Sequence, residues 1–162
     1  MSKDEVTIRS PLPGEYGWII QVHGRYYAEK FGWYEEFEAI VATIIVDYLN
    51  ARTSGKQCCY IAEQHGQPVG CIMLMEKTPD EGKVRVMFVS ENARGIGVGT
   101  LLIDALINKA RAIGYQTLSL WTTNNQTEAR KLYRKVGFSL VSQSQNTTFA
   151  KGSFDEEWKM NI

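Results

Sequence analysis

The sequence predicts an α/β domain of the α+β kind, and three observations predict it. A chain of 162 residues with 44% apolar content falls within the size of one domain and can build one core, so residues 1–162 are read as a single domain. Hydrophobic periodicity switches repeatedly between two and 3.6 residues, giving the order β-α-α-β-β-β-α-β-α-β-β. Within that order Val84 to Thr100 runs from an alternating strand through a glycine-rich turn into an amphipathic helix, which is a phosphate-binding geometry.

The elements follow in sequence. Tyr16 to Val22 alternates like a strand, His23 to Phe31 reads as a short helix, and Gly32 separates it from a longer helix over Tyr34 to Asn50. That second helix carries Phe37, Ile40, Val41, Ile44, Ile45, Tyr48 and Leu49 on one face. Gln57 to Glu63 and Pro68 to Glu76 are predicted strands joined by the turn His65-Gly66-Gln67, and Pro79-Asp80-Glu81-Gly82 turns into the strand that begins at Lys83. Val98, Leu101, Leu102, Ala105, Leu106 and Ala110 form a helical stripe closed by Gly114, and Thr117 to Trp121 is the next strand. After a helix around Ala129 to Val136, the polar run Ser142 to Thr148 is expected to be a loop between the last two strands.

Glycines at 95, 97 and 99 let consecutive N–H groups converge on an anion at the positive end of the helix dipole, with Arg94 as a fixed cation beside them. The P-loop reading fails because Val98-Gly99-Thr100 stands where Gly-Lys-Ser/Thr is needed. The dinucleotide fingerprint fits poorly, since its third glycine falls on Thr100 and the strand Gln116 to Trp121 ends without a ribose-binding acid.

Arg94-Gly95-Ile96-Gly97-Val98-Gly99 closely resembles the R-G-x-G-x-G turn of the GCN5-related N-acetyltransferases (GNAT), with Val89 where that family's strand ends. Ala129 to Phe138 looks like the family's second hallmark, A-x-x-L-Y-x-x-x-G-F, at the expected distance downstream. The resemblance implies the acyl-CoA N-acyltransferase fold, a mixed, mainly antiparallel sheet that splays open where acetyl-CoA inserts, with helices on both faces. It implies that backbone groups of Arg94, Gly95, Ile96, Gly97, Val98 and Gly99, with Thr100 beside them, cradle the pyrophosphate. The splayed edge at Phe88 and Val89 would pair with the pantetheine and polarise the acetyl carbonyl. The family often has asparagine where Gln126 stands here, so cofactor contact is assigned instead to Asn125. Asn125 with Glu128 also fits a capping box.

Thioester aminolysis needs a held cosubstrate, a neutral amine, a polarised carbonyl and a protonated leaving thiolate. By resemblance Tyr133 approaches the coenzyme sulfur, where a phenol of pKa about 10 suits protonation of a thiolate. The competing use is packing beside Ala129, Leu132 and Val136. No general base is evident, because Lys83, Arg85 and Met87 occupy the strand where some relatives place a carboxylate; Glu38 is the candidate. His23, opening a helix, is read as structural. Tyr26 and Trp33 are candidate walls of the acceptor pocket, and an acidic N-terminal third suits a cationic amine. No metal site is expected.

Lys plus Arg equal Asp plus Glu at 18 each, which gives no support to a nucleic-acid or anionic-membrane partner. Residues 83–137 nevertheless hold nine basic and three acidic residues, and residues 1–50 four basic and eight acidic. Met1 to Ser10 is polar and the apolar run Ala39 to Val46 is far shorter than a membrane span, so a cytoplasmic protein is expected. Cys58, Cys59 and Cys71 read as reduced structural thiols, with a vicinal redox pair as the remote alternative. Gly17-Trp18, His23-Gly24-x-x-Tyr27, Phe31-Gly32-Trp33 and Phe37-Glu38 resemble the acetyltransferase domain fused behind MarR-type regulators. Neither a regulator nor a DNA-binding domain is expected before Val6. The expected activity is direct acetyl transfer from acetyl-CoA to a small amine or peptide, with a homodimer left open. The alternatives are a non-catalytic acyl-CoA sensor and an interaction module.

Overall fold

The computed structural model describes residues 5–162, so the part of the N-terminal reading that concerns Met1 to Asp4 lies outside the described residues. Its first strand, β1 (Val6–Arg9), is followed by the helices α1 (Glu15–Phe31) and α2 (Glu35–Asn50), then β2 (Cys58–Gln64), β3 (Gln67–Thr78) and β4 (Glu81–Val89). A 3₁₀ turn over Glu91–Ala93 leads to α3 (Val98–Ile113), β5 (Thr117–Thr123), α4 (Thr127–Val136), β6 (Ser139–Gln145) and β7 (Phe154–Asn161). The strands form one sheet in the order β1-β2-β3-β4-β5-β7-β6. All neighbours are antiparallel except β4 and β5.

Side-chain alternation along the strands divides the core between two faces. Ile72, Leu74, Leu118, Leu120 and Trp158 pack with Leu102, Ile103 and Leu106 of α3 on one face, where Tyr133 of α4 joins them. Cys71, Met73 and Phe88 pack with Ile19 of α1 and Phe37, Val41 and Ile45 of α2 on the other. The mixed, mainly antiparallel sheet with helices on both faces is thus the observed architecture.

The sequence expectation fails at its first strand. Tyr16 to Val22 is not a strand but the first half of α1, which continues through His23 to Phe31. Aromatic and β-branched residues make this segment look like a strand, yet Ile19 and His23, four residues apart, are the positions it buries, as a helical stripe requires. Gly24 is buried within α1, and a Cβ there would come 2.8 Å from Glu38 Oε1, so the glycine serves the crossing of α1 and α2. The first strand is instead the four-residue β1, paired with Ile61–Gln64 of β2. The expected loop over Ser142 to Thr148 is also corrected, because β6 extends to Gln145; it is polar because it is an edge strand exposed along its whole length.

One irregularity sets the geometry of the site. The β3–β4 register shifts between Cys71 and Met73, leaving Val86 and Met87 in a bulge in which Val86 adopts φ 47°. Such a conformation in a β-branched residue costs about 1–3 kcal/mol and needs support from its surroundings. Cys71 supplies it: its buried thiol donates to the Val86 carbonyl at 3.1 Å, and burial holds its pKa well above the usual thiol range, so the proton is retained. Cys58 and Cys59 are likewise free and buried, with pKa values pushed up to about 11 and about 12 by desolvation.

Replacing Cys71 by Ala removes this donor from a buried carbonyl and leaves a small void, and is expected to lower stability by about 1–3 kcal/mol in urea unfolding. An unchanged midpoint would show that the thiol does not hold the bulge.

Candidate functional site

Strands β4 and β5 pair only from Glu81–Thr117 to Val84–Leu120 and then part. From Arg85 to Val89 the edge of β4 facing β5 has no strand partner, so its polar groups on that side, apart from the Val89 carbonyl that accepts from Arg94, are available to a ligand. The separation opens a cleft of about 610 Å³ whose wall is built by β4, the segment 93–100, the end of β5, α4, and the inner faces of α1 and α2.

The glycine turn forms one end. Among the described residues, none of the backbone N–H groups from Gly95 to Thr100 donates to another backbone or side-chain group. Gly95 and Gly97 have φ 81° and 88°, and a Cβ on Gly95 would meet nothing within 4 Å, so the space above the turn is open. Six free donors at the start of a 16-residue helix make a concave anion site. Gly99 has another role: a Cβ there would sit 3.0 Å from Leu132 Cδ2 and 3.3 Å from Met87 Cε, so glycine lets α3 begin tight against α4 and β4.

Arg94 does not point at that space. Its Nε donates to the Val89 carbonyl at 2.9 Å, its Nη1 donates to the Tyr26 hydroxyl at 3.2 Å, and the guanidinium lies 4.8 Å from the Tyr26 ring centre. It ties the turn to β4 and α1, as an anchor does.

Across the cleft, Tyr133 is 7% exposed on α4, and desolvation raises its pKa to about 12. At neutral pH it is therefore an O–H donor, and among the described residues its hydroxyl makes no hydrogen bond. Burial pushes the pKa of Tyr27 of α1 up, and the nearby Tyr133 raises it further. The Tyr27 hydroxyl donates to Gln126 Oε1 at 3.2 Å, and Gln126 Nε2 donates to Thr123 Oγ1 at 3.1 Å, so the residue that departs from the family's asparagine bridges α1 to the end of β5. Sequence reasoning missed this bridge, because its partners are 99 positions apart.

Of the residues singled out from the sequence, Phe88, Val89, Arg94, Gly95, Gly97, Val98, Gly99, Thr100, Tyr26 and Tyr133 line the cleft. Ile96, Asn125, Trp33 and Glu38 do not. Ile96 is partly buried against the α3 core, and Trp33 stacks on Tyr27 at 5.3 Å, only 3% exposed. Glu38 lies against Gly24 at the helix crossing rather than in the acceptor space. The capping box is corrected as well: α4 is capped at Gln126 without a side-chain bond, Asn125 accepts from Thr123 Oγ1 at 2.6 Å and donates to Ser153 Oγ at 3.3 Å, and Glu128 pairs with Lys131. Among the described residues no group of three His, Cys, Asp or Glu side chains is placed to hold a metal ion, and no helix is long and apolar enough to cross a membrane.

The family model described as the acetyltransferase (GNAT) family matches residues 18–138, three quarters of the chain. The chain belongs to the GNAT family. Among curated GNAT relatives, N-acetyltransferase family 8 member 2 of Rattus norvegicus is 34% identical over 106 residues, 62% of this chain and 45% of that protein. The chain spans between 45% and 62% of the length of the curated relatives it matches first. The fold is shared with a ribosomal-protein-alanine N-acetyltransferase from Brucella melitensis (TM-score 0.78, 19% identity, 96% of this chain and 99% of that one). It is shared too with a GNAT acetyltransferase from Elizabethkingia anophelis solved with acetyl-CoA bound (TM-score 0.70, 20% identity, 99% and 100%).

His23 also lines the GNAT cleft, buried against Phe88 and Tyr27, with Nδ1–H donating to the Ile19 carbonyl at 2.8 Å. Burial lowers its pKa to about 4, so the ring is neutral at pH 7, in keeping with a structural role. Between pH 6.5 and about 4 the unfolded chain binds a proton at this position that the folded one refuses. Stability is therefore expected to fall by about 3 kcal/mol as pH drops through that window. Urea unfolding at pH 7 and pH 4 reads this, and the His23→Gln variant should lose that share of the acid sensitivity. Equal acid sensitivity in both proteins would show that the ring takes up protons freely.

Proposed function

We propose that the protein is an acetyl-CoA-dependent N-acetyltransferase that moves an acetyl group directly to a primary amine of a small molecule, amino acid or peptide. The single observation that carries this reading is the pairing of two unfilled backbone surfaces in one cleft: six free N–H groups from Gly95 to Thr100 and the unpaired edge of β4 from Arg85 to Val89. An anionic head and an amide-bearing tail joined in one extended molecule satisfy both, and the pyrophosphate and pantetheine of coenzyme A have that form. The acetyltransferase names of the GNAT relatives support the same assignment.

When bound, acetyl-CoA supplies its acyl group as a thioester that an amine can open. The turn 95–100 holds the phosphates and the β4 edge fixes the pantetheine in line with the bulge at Val86. The backbone N–H of Val89, on the open edge, would stabilise charge on the acyl oxygen, while that of Phe88 faces β3. As the amine nitrogen bonds to the acyl carbon and the carbon–sulfur bond breaks, Tyr133 gives its phenolic proton to the departing sulfur and recovers one from the ammonium that has formed. A pKa near 12 keeps that proton on Tyr133 throughout the neutral range.

On sequence grounds the reading takes the protein as cytoplasmic. The blocks from Gly17 to Glu38 support a likeness to the domains fused to MarR-type regulators, and the exposed β6 edge is where we would place a homodimer.

Release of free thiol from acetyl-CoA over a panel of primary amines tests the activity directly. In that assay Tyr133→Phe is expected to lower kcat by about 10²–10⁴-fold while acetyl-CoA affinity stays within about threefold. Equal loss of affinity would make Tyr133 a packing residue, and no thiol release with any amine would contradict the proposed activity.

A further inference from the structure

The cleft holds two cations that the chemistry above does not use. Lys83 and Arg85 stand two positions apart on β4, so their side chains share one face of the strand. Their β3 partners, Met75 and Met73, pack with the α1/α2 cluster, which puts both cations on the face opposite α3 and the phosphate turn. Both line the cleft, with Ile40 and Ile44 of α2 and Trp121 of β5 forming apolar wall beside them.

Neither cation has a bonded counter-ion. Among the described residues no salt bridge or side-chain hydrogen bond involves Lys83 or Arg85. The carboxylates that could serve Lys83 are engaged elsewhere: Glu81 takes Lys77 at 2.8 Å and Lys159 at 3.2 Å, and Glu157 takes the same two lysines at 3.4 and 3.6 Å. Asp155 accepts from Asn146, and Asp47 attracts Arg85 without reaching bonding distance. Desolvation and then Arg85 lower the Lys83 pKa, and desolvation lowers that of Arg85, so both charges are held at a cost that an anion between them would offset. The acidic residues in the first turn of α2, Glu35, Glu36 and Glu38, do not line the cleft.

We propose that Lys83 and Arg85 form a carboxylate-binding subsite, and that the acceptor is a small amine carrying a carboxylate, as a free amino acid does. Seated there, the carboxylate is held on the α1/α2 side of β4, its side chain meets Ile40, Ile44 and Trp121, and its amine is directed toward the bulge at Val86. The proposal rests on the acetyltransferase reading and narrows it to one class of acceptor.

The test compares matched acceptors in the thiol-release assay: free amino acids, their carboxamides and the corresponding decarboxylated amines. A kcat/KM at least tenfold higher for the carboxylates is expected. In Lys83→Gln/Arg85→Gln that ratio should fall at least tenfold, while Lys83→Arg should retain most of it. Acetyl-CoA binding, measured by calorimetry on each variant, reports on folding and on the cosubstrate site. Turnover of the carboxamides and decarboxylated amines equal to or faster than that of the carboxylates overturns the subsite and leaves the acetyltransferase reading standing. A ratio unchanged in the double variant does the same. Failure of the wild type to bind acetyl-CoA overturns both.

Discussion

The structure depends on the parting of β4 and β5. Parallel strands normally remain paired along their shared length, because each unpaired backbone group in an interior is costly. Here the ladder stops at Val84 and Leu120 although both strands continue, and the polar edges left behind are the walls of the cleft. The parting has local causes. Val86 and Met87 bulge out of register with β3, the strained Val86 is held through its carbonyl by Cys71, and Gln126 with Tyr27 spans the gap at its far end. Cys71, Val86 and Tyr27 all belong to the α1/α2 face, so the opening is supported from that side of the sheet.

Each functional surface follows from that opening. The phosphate turn sits where β4 ends and α3 begins, so one extended ligand can meet the turn and the exposed strand edge together. Tyr133 reaches the same space from α4, and its burial keeps it protonated. The other face of β4 carries Lys83 and Arg85, so the proposed acceptor subsite lies on the α1/α2 side of the strand. Three distinct demands are met on nine residues of one strand and the turn that follows it.

What could be read from the sequence was what is encoded locally. The turn Arg94 to Gly99 and the helix bearing Tyr133 are contiguous, and their glycines and stripes carry their geometry with them. The hairpin at His65-Gly66 and the cap at Gly114 were legible for the same reason. Tyr16 to Val22 misled because composition favours a strand while the position on the sheet favours a helix, and tertiary packing decides between them. Glu38 and Trp33 were assigned to the acceptor site on residue type, but the crossing of α1 and α2 turns them into their own interface. The unpaired setting of Lys83 and Arg85 is hidden, because a sequence shows neither which face of β4 they occupy nor that nearby carboxylates are already paired. The bulge itself leaves no mark: Val86 is an ordinary strand residue in every local respect.

The central claim is that the opened edge of β4 and the turn after it bind one ligand together. Amide chemical shifts of the ¹⁵N-labelled protein titrated with coenzyme A test this most directly. The account predicts large, saturable shifts at Gly95 to Thr100 and at Arg85 to Val89 that share one dissociation constant. Shifts confined to one of these segments, or found only on other surfaces, would contradict it.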